Sequence, residues 1–218
     1  MTQLATQDSL QRCLEQAQRS REERFTLCIA RPLAAALSNL QLRNLLDQLC
    51  PMAHSRSIQL RRSRNGDWQA TLHLRYRMGV RIADAYAGGA LGTLSPEEQQ
   101  TLGRALAMVH EAQMGAPGPA DLARRLYDAV RQSAVYENPP VGTQAYGQVI
   151  SAASVLLRGR ANCQGFSDAF YLLGSLAGLA VGYRSAADGV PHLFNTLHLG
   201  ALPFTVDATK GLFPGLQD

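Results

Sequence analysis

The sequence predicts an α+β protein, with helices and antiparallel strands in separate stretches of the chain. Three patterns favour this class. Residues 57–78 hold two alternating runs around a turn signal at Asn65-Gly66-Asp67, which is typical of a β-hairpin. The segment 95–98 has the N-cap serine, first-turn proline and capping-box glutamate of a helix start. Residues 192–207 form two more alternating runs around Gly200-Ala201, which predicts a second hairpin.

The length of 218 residues fits one domain of ordinary size or two small subdomains that share a core. We place an N-terminal α+β subdomain, made of helices and a basic hairpin, at residues 1–90. The second subdomain covers residues 91–218, and the glycine-containing stretch 85–94 connects the two. Hydrophobic residues make up 46% of the chain and charged residues 17%, so a packed core is expected.

Apolar spacing predicts the elements of the first subdomain. Leu10, Cys13, Leu14 and Ala17 form one stripe of a helix at 2–22. Alternation predicts a strand at 25–29, and a second amphipathic helix follows near 42–50. In the hairpin, Leu72, Leu74, Tyr76 and Met78 are expected to share one face of the second strand.

The second subdomain begins with the capped helix, whose apolar face continues to Gly115. Further helices are predicted at 122–130 and 148–158, with Gly159 as the C-cap of the latter. A strand is expected at 180–185, followed by a turn at Asp188-Gly189.

The positive charge belongs to the first half of the chain. Residues 1–100 hold 13 basic and 9 acidic side chains, whereas residues 101–218 hold 8 of each. A solvated strand face explains this balance better than a site for an anionic partner, and no nucleic-acid partner is expected. Between residues 54 and 81 Asp67 is the only acidic residue, and the arginines are Arg56, Arg61, Arg62, Arg64, Arg75, Arg77 and Arg81.

Several classes of protein are disfavoured by what the sequence lacks. It has no apolar run long enough to span a membrane and no signal-peptide core. Four cysteines without a C-x-x-C pair argue against a disulfide scaffold and a zinc site. Neither a phosphate-loop nor a dinucleotide glycine pattern occurs. We therefore predict a soluble cytoplasmic protein, or a secreted one if a leader was trimmed, with no cofactor and no metal.

Cys163 is the strongest candidate for a chemical role. From this residue onward Phe166, Phe170 and Leu173 follow helical spacing, so Asn162 is the expected N-cap and Cys163 lies in the first turn. A thiol there faces unpaired N–H groups and the positive end of the helix dipole, which favour thiolate and could stabilise an oxyanion. Gly165 permits close approach of another element.

A nucleophilic cysteine needs a base and an acceptor that orients the base. If the turn at Gly200-Ala201 has two residues, Asp207 lies opposite Phe194 and diagonal to His192 on the same face, within side-chain reach. A one-residue slip would separate them. The remaining histidines are weaker candidates by position: His54, His73, His110 and His198.

Three segments resemble the core motifs of the transglutaminase-like superfamily, including its bacterial members. They are Cys-Gln-Gly-Phe-Ser-Asp-Ala-Phe at 163–170, His-Leu-Phe-Asn at 192–195 and Val-Asp-Ala-Thr-Lys-Gly at 206–211. The resemblance covers residues 146–213 best. It implies a papain-like cysteine-protease fold with Cys163 as nucleophile, His192 as general base and acid, and Asp207 fixing the imidazole tautomer.

The chain also departs from the family pattern. Phe194 occupies the position where tryptophan is common, and Ala161-Asn162 replaces a frequent Gly-Val. We therefore expect no tryptophan-dependent oxyanion site like that of animal transglutaminases. The acidic residues are scattered along the chain, so the calcium sites of those enzymes have no counterpart either. Gln148 or Tyr146 could supply a second oxyanion donor.

The resemblance implies a cysteine-nucleophile acyl-transfer enzyme that acts on amide or peptide bonds, with a peptide or protein as substrate. By analogy with bacterial members we expect a hydrolase. The alternative is a non-catalytic or weakly active binding or scaffold module with the basic hairpin as its partner surface. Substrate identity, the choice of water or amine as acceptor, and oligomeric state stay open.

Overall fold

The computed structural model describes residues 3–36, 41, 45, 48–186 and 191–215. These residues fall into two compact units. The first unit is formed by the chain up to Tyr76, and the second begins at Arg77. Residues 77–90, which the sequence places in the first subdomain, thus belong to the second unit. The predicted turn at Asp188-Gly189 and most of the predicted helix near 42–50 lie outside the described residues.

The first unit is a four-stranded sheet in the order β1-β2-β4-β3. Strands β2 and β3 both pair with β4 in antiparallel register, while β1 pairs with β2 in parallel register. The elements are β1 (Gln3–Leu4), α1 (Gln7–Arg19), β2 (Arg24–Ile29), α2 (Arg31–Ala36), β3 (Ala53–Arg62) and β4 (Trp68–Tyr76).

The core of the first unit lies between α1 and one face of this sheet. Leu10 and Leu14 of the predicted stripe are fully buried, whereas Cys13 is half-buried at its margin. They pack in one cluster with Leu27 of β2 and Leu72 of β4. Burial of a large aliphatic side chain contributes about 1.5–3 kcal/mol, so this stripe accounts for the helix at this place in the chain.

The other face of the sheet, which we call the open face, is polar. Its residues alternate with the buried ones and are exposed or half-buried. They are Arg24, Thr26 and Cys28 on β2, Gln69, Thr71, His73 and Arg75 on β4, and Ser57, Gln59 and Arg61 on β3.

The basic hairpin has the predicted turn, but its second strand ends earlier than predicted. Gly66 has a φ of +90°, and the Asp67 carboxylate accepts hydrogen bonds from Asn65 Nδ2 and from the Arg31 amide. The strand ends at Tyr76, and Met78 begins a helix instead of extending the apolar face. The reason is the buried Arg77 between them, which is the N-cap residue of that helix.

The second unit packs helices against an antiparallel sheet in the order β7-β8-β9, beside a separate parallel pair of β5 and β6. A 3₁₀ turn lies at Leu91–Thr93. The elements are α3 (Met78–Ala87), α4 (Pro96–Gln113), α5 (Pro119–Gln132), β5 (Val135–Tyr136), α6 (Gln144–Gly147), α7 (Ala152–Leu156), β6 (Arg160–Ala161), α8 (Cys163–Leu176), β7 (Ala180–Ala186), β8 (His192–Leu199) and β9 (Leu202–Val206).

Helix α8 lies at the centre of the second unit. It is buried from Gly165 to Gly174, and its Phe170, Leu172 and Leu173 join the core cluster with Tyr127 of α5 and Leu197 of β8. Because the middle of α8 is buried on every side, neighbouring elements pack all around it. This packing holds the start of the helix, and with it Cys163, in place. No helix among the described residues is long and apolar enough to cross a bilayer.

The helix predicted at 148–158 is wrong in its extent. Only Ala152–Leu156 (α7) of this segment is helical. The short helix α6 ends at Gly147, before the segment, and an irregular stretch around Val149 separates the two helices. The Val149 carbonyl accepts a hydrogen bond from the Asn162 amide (2.9 Å), which takes it out of any local helical pattern. Gly159 does have the expected left-handed conformation, with a φ of +69°.

Candidate active site

Cys163 is the first residue of α8, as predicted, and is half-buried. The side chain of Asn162 caps the helix by accepting hydrogen bonds from the amides of Gln164 (3.0 Å) and Gly165 (3.4 Å). Asn162 itself is buried and tied through its own amide to Val149. The cap therefore fixes the turn that carries the thiol.

The cap leaves one amide of the first turn available. The Phe166 amide donates to the Asn162 carbonyl (3.1 Å), and Asn162 Oδ1 occupies those of Gln164 and Gly165. The Cys163 N–H has no acceptor within the described part of the chain. It is therefore the helix N–H that can donate to an oxyanion formed at the thiol.

Gly165 allows the close approach that the sequence predicts. A Cβ at this position would lie 2.5 Å from the Val149 carbonyl oxygen and 2.8 Å from Ala161 Cβ. Any side chain would force the start of α8 away from the neighbouring backbone. The position of Cys163 thus depends on a glycine two residues later.

The hairpin of β8 and β9 has the predicted register. Asn195 pairs with Val206 and Leu199 with Leu202 across the two-residue turn, so Asp207 follows opposite Phe194. His192 Nε2 lies 2.6 Å from Asp207 Oδ2. Both side chains are largely removed from water, with 16% and 6% of their side-chain surface exposed.

Asp207 is held by its own loop as well as by the imidazole. Its Oδ1 accepts hydrogen bonds from the amides of Thr209 (3.0 Å) and Lys210 (3.2 Å). Its backbone exchanges two hydrogen bonds with Leu212. Since a carboxylate accepts, Nε2 of His192 carries the proton and Nδ1 is the nitrogen left to take one.

Two hydrogen bonds join α8 to β8 next to these residues. Ser167 Oγ donates to the Leu193 carbonyl (2.9 Å), and Asn195 Nδ2 donates to the Ser167 carbonyl (3.1 Å). Cys163 lies one helical turn, about 5.4 Å, before Ser167, and His192 directly precedes Leu193. The contact between helix and strand therefore brings the thiol and the imidazole to the same end of the second unit.

Two tyrosines lie near the thiol. Burial, the negative charges of Cys163 and Asp207, and that of Tyr146 raise the pKa of the Tyr136 hydroxyl. The Tyr146 oxygen accepts a hydrogen bond from Gln164 Nε2 (2.6 Å), which leaves its phenolic proton available as a donor. Tyr146 thus has the hydrogen-bonding capacity expected of a second oxyanion donor. Gln148 is half-buried, and its side chain has no hydrogen bond to another described residue.

A buried carboxylate supports the same helix. Asp168 is fully buried and accepts hydrogen bonds from the amides of Gly79 (3.1 Å) and Ala152 (2.8 Å) and from the Tyr183 hydroxyl (2.7 Å). Burial raises the pKa of the Asp168 carboxyl, against the charge of the nearby Arg77. One residue thereby links α3, α7 and β7 to α8.

Arg77 continues this network toward Cys163. Its guanidinium donates to Gln164 Oε1 (3.1 Å) and lies 5.7 Å from the centroid of the Tyr183 ring. The sequence patterns predict no role for Asp168, Tyr183 or Arg77. Asp168 nevertheless interrupts an otherwise apolar helical pattern, and a carboxylate at such a position must be buried with hydrogen-bond partners.

The weaker candidate histidines lie elsewhere. His198 is exposed at the far end of β8, His110 is exposed on α4, and His54 and His73 belong to the first unit. Among the described residues no group of three or more His, Cys, Asp or Glu side chains is placed to hold a metal ion.

Comparisons with known proteins give distant similarities. No protein-family profile matches the sequence, and no curated protein matches it. A solved structure described as a TGase is 15% identical, has a TM-score of 0.48, and aligns over 90% of this chain and 53% of its own. Another, assigned provisionally as a cysteine protease from Cytophaga hutchinsonii, is 11% identical with a TM-score of 0.41 over 72% of this chain and 66% of its own.

This chain therefore spans about half the length of the TGase (53%). The described elements of the second unit have a mixed α+β arrangement. A helix that begins at Cys163 packs against an antiparallel sheet, and that sheet leads into His192 and Asp207.

Proposed function

We propose that the second unit is a cysteine-dependent acyl-transfer enzyme that hydrolyses amide or peptide bonds. The observation that carries the proposal is the bonded pair of His192 and Asp207, next to the point where Ser167, one helical turn after Cys163, donates to the Leu193 carbonyl of β8. This supports a set of nucleophile, base and orienting acceptor.

The first half of the reaction forms a thioester. Cys163 Sγ attacks the carbonyl carbon of a peptide or protein substrate while its proton passes to His192 Nδ1. The oxygen of the tetrahedral intermediate carries the negative charge and accepts from the Cys163 amide and the Tyr146 hydroxyl. When the carbon–nitrogen bond breaks, the imidazolium returns the proton to the departing amine.

Water completes the second half. His192 Nδ1 takes a proton from the water molecule, whose oxygen attacks the thioester carbonyl. Breakage of the carbon–sulfur bond releases the carboxylic acid and regenerates Cys163. Asp207 keeps the imidazole in the tautomer that accepts at Nδ1 and stabilises it while it is charged. An amine in place of water would make the same site a transglutaminase.

Thiol alkylation tests the activated nucleophile directly. We expect iodoacetamide at pH 6.5 to modify Cys163 about tenfold or more faster than the other cysteines. Burial and the charge of Glu22 raise the pKa of Cys13, which therefore provides a slow internal reference. Peptide mapping by mass spectrometry after timed quenching measures all four rates in one sample.

Two histidine variants complete this experiment. His192→Ala should slow the modification of Cys163 by about tenfold, because the base that accepts the thiol proton is gone. His198→Ala, on the exposed end of the same strand, should leave the rate unchanged. Equal and slow modification of all four cysteines would contradict the proposal.

The acceptor is identified from products. Incubation with a peptide library and mass spectrometry should reveal an acyl adduct on Cys163 together with cleaved or deamidated peptides, all absent with Cys163→Ala. Crosslinked peptides in place of cleaved ones would assign amine transfer instead of hydrolysis.

A non-catalytic binding module is the second candidate. Its support is the open face of the first unit, where Arg24, Arg61 and Arg75 are exposed. Such a face suits an anionic partner surface. This alternative predicts that the four thiols react without preference and that no acyl adduct forms.

A further inference from the structure

The short strand β5 lies next to the segment that leads into Cys163 and has no part in the chemistry described above. Strand β5 pairs in parallel with β6, and Tyr136 is in register with Ala161. Ala161 immediately precedes the N-cap residue of α8. Tyr136 is therefore one strand spacing, about 4.8 Å, from the segment that leads into the nucleophile.

The hydrogen bonds of β5 show which groups its edge offers. The amides of Val135 and Glu137 donate to the carbonyls of Gly159 and Ala161, each at 2.9 Å. Because neighbouring residues of a strand direct their backbone groups to opposite sides, the N–H and C=O of Tyr136 face away from β6. Neither group has a partner among the residues that the structure describes. They form an open edge of the kind that an extended peptide can join.

Exposed apolar side chains lie on this strand and on the segment that follows it. Val135 is 70% exposed, Tyr136 49% and Val141 80%, three large apolar residues within one short segment. Pro139 and Pro140 lie between them and restrict the backbone of this segment. The charges of Cys163 and Asp207 contribute, after burial, to the raised pKa of the Tyr136 hydroxyl, so the ring is within electrostatic reach of both groups.

We propose that Tyr136 is a substrate-binding residue that pairs, through its backbone N–H and C=O, with an extended peptide lying across Cys163. Its ring, together with Val141, receives a large apolar side chain of that peptide close to the scissile bond. The substrate class is therefore an unfolded or extended segment with an aromatic or aliphatic residue near the cleaved bond. This inference rests on the proposed function, because the peptide is the acyl donor of that reaction.

Peptidyl chloromethyl ketones test the inference without a known substrate. The probes are benzyloxycarbonyl-Phe-Ala-chloromethyl ketone, its Ser-Ala counterpart, and a version with an N-methylated Phe amide. For each protein variant the rate of Cys163 labelling by each probe is divided by its rate with iodoacetamide. This ratio isolates peptide recognition from thiol reactivity.

We expect the wild-type ratio to be about tenfold higher for the Phe probe than for the Ser probe. N-methylation, which removes one hydrogen-bond donor of the added strand, should remove most of this advantage. Tyr136→Ser should abolish the preference for Phe, and Tyr136→Phe should retain it. Leu202→Ser, at a similarly exposed apolar position at the start of β9 (63% exposed), should leave the ratio unchanged.

The outcomes separate the two proposals. If iodoacetamide modifies Cys163 no faster than Cys13, the proposed function fails. If it does modify Cys163 faster but Tyr136→Ser keeps the Phe preference, or N-methylation has no effect, the peptide-binding edge is wrong while the nucleophile stands.

Discussion

The two units differ in where they keep their polar side chains. In the first unit the open face carries Arg24, Arg61 and Arg75 in water, with no ion pair to any described residue. In the second unit polar residues are buried along α8 and the β8–β9 hairpin. They are Asn162, Ser167, Asp168, Asn195 and Asp207.

This difference indicates which parts of the molecule have a fixed geometry. An exposed arginine can adopt many rotamers at little cost, whereas a buried polar group needs partners at defined distances or loses about 1–3 kcal/mol. These five side chains all have hydrogen-bond partners among the described residues, and several of those bonds join α8 to the elements around it. Three variants test this contrast.

The largest effect is expected from Asp168→Ala. Its removal leaves the Gly79 amide, the Ala152 amide and the Tyr183 hydroxyl buried without an acceptor, so the free energy of unfolding should fall by about 3–5 kcal/mol. Urea denaturation followed by circular dichroism measures this loss. Fluorescence of Trp68, the single tryptophan, reports on the first unit in parallel.

The matched variants for this prediction are Arg61→Ala and Arg75→Ala on the open face. Each should change the unfolding free energy by less than about 0.5 kcal/mol. An Asp168→Ala protein as stable as these two would remove the distinction between the units.

A smaller loss is expected from Gly79→Ala. The added Cβ would lie 2.6 Å from the Asp168 carbonyl oxygen and 2.8 Å from its carboxylate, an overlap that costs about 1–3 kcal/mol. Gly103→Ala is the control, because Gly103 lies in α4 with nothing within 4 Å of the added atom. There alanine should stabilise by roughly 0.5–1 kcal/mol through helix propensity. Opposite signs in thermal denaturation support the close packing of α3 on α8, and equal signs would refute it.

The smallest effect concerns Glu98 at the start of α4. Burial alone raises the pKa of Glu98, but hydrogen bonds from Ser95 and Arg81 outweigh burial and lower it. The folded state therefore binds fewer protons than the unfolded state, and the stabilisation is present above the ordinary pKa and lost as pH falls through the folded value. Glu98→Gln should cost about 1 kcal/mol at pH 7.

The pH dependence is the specific part of this prediction. The difference between wild type and Glu98→Gln should shrink below about pH 4, since protonation then removes the same charge. Glu111→Gln, exposed on the same helix, should show no such dependence. A difference that is constant from pH 7 to pH 3 would exclude the ionised carboxylate as its source.

Local patterns in the sequence predict much of this structure. The cap at Asn162, the start of α8 and the register of β8 with β9 each depend on residues close together in the chain. Alternation with a two-residue turn is enough to place His192 beside Asp207. In the same way the spacing of Leu10 and Leu14 predicts α1.

The contacts that local sequence patterns do not predict join segments that are far apart in the chain. Gly79 precedes Asp168 by 89 residues, and no periodicity links an amide in one helix to a carboxylate in another. Alternation predicts that Arg77 lies on the polar face of the basic hairpin, but Arg77 is buried and belongs to the second unit. No pattern predicts a strand at Tyr136, because two residues are too few to show alternation of buried and exposed side chains.

The hairpin that brings His192 to Asp207 also limits how this protein can diverge. The chain between the two residues consists of paired strand positions and a two-residue turn, so it has no spare residue to absorb a deletion. One codon lost within β9 would turn the carboxylate to the opposite face of the sheet, whatever amino acids remained. Insertions and deletions are tolerated in surface connections such as that between α4 and α5. In this hairpin, variation is confined to substitution at constant length.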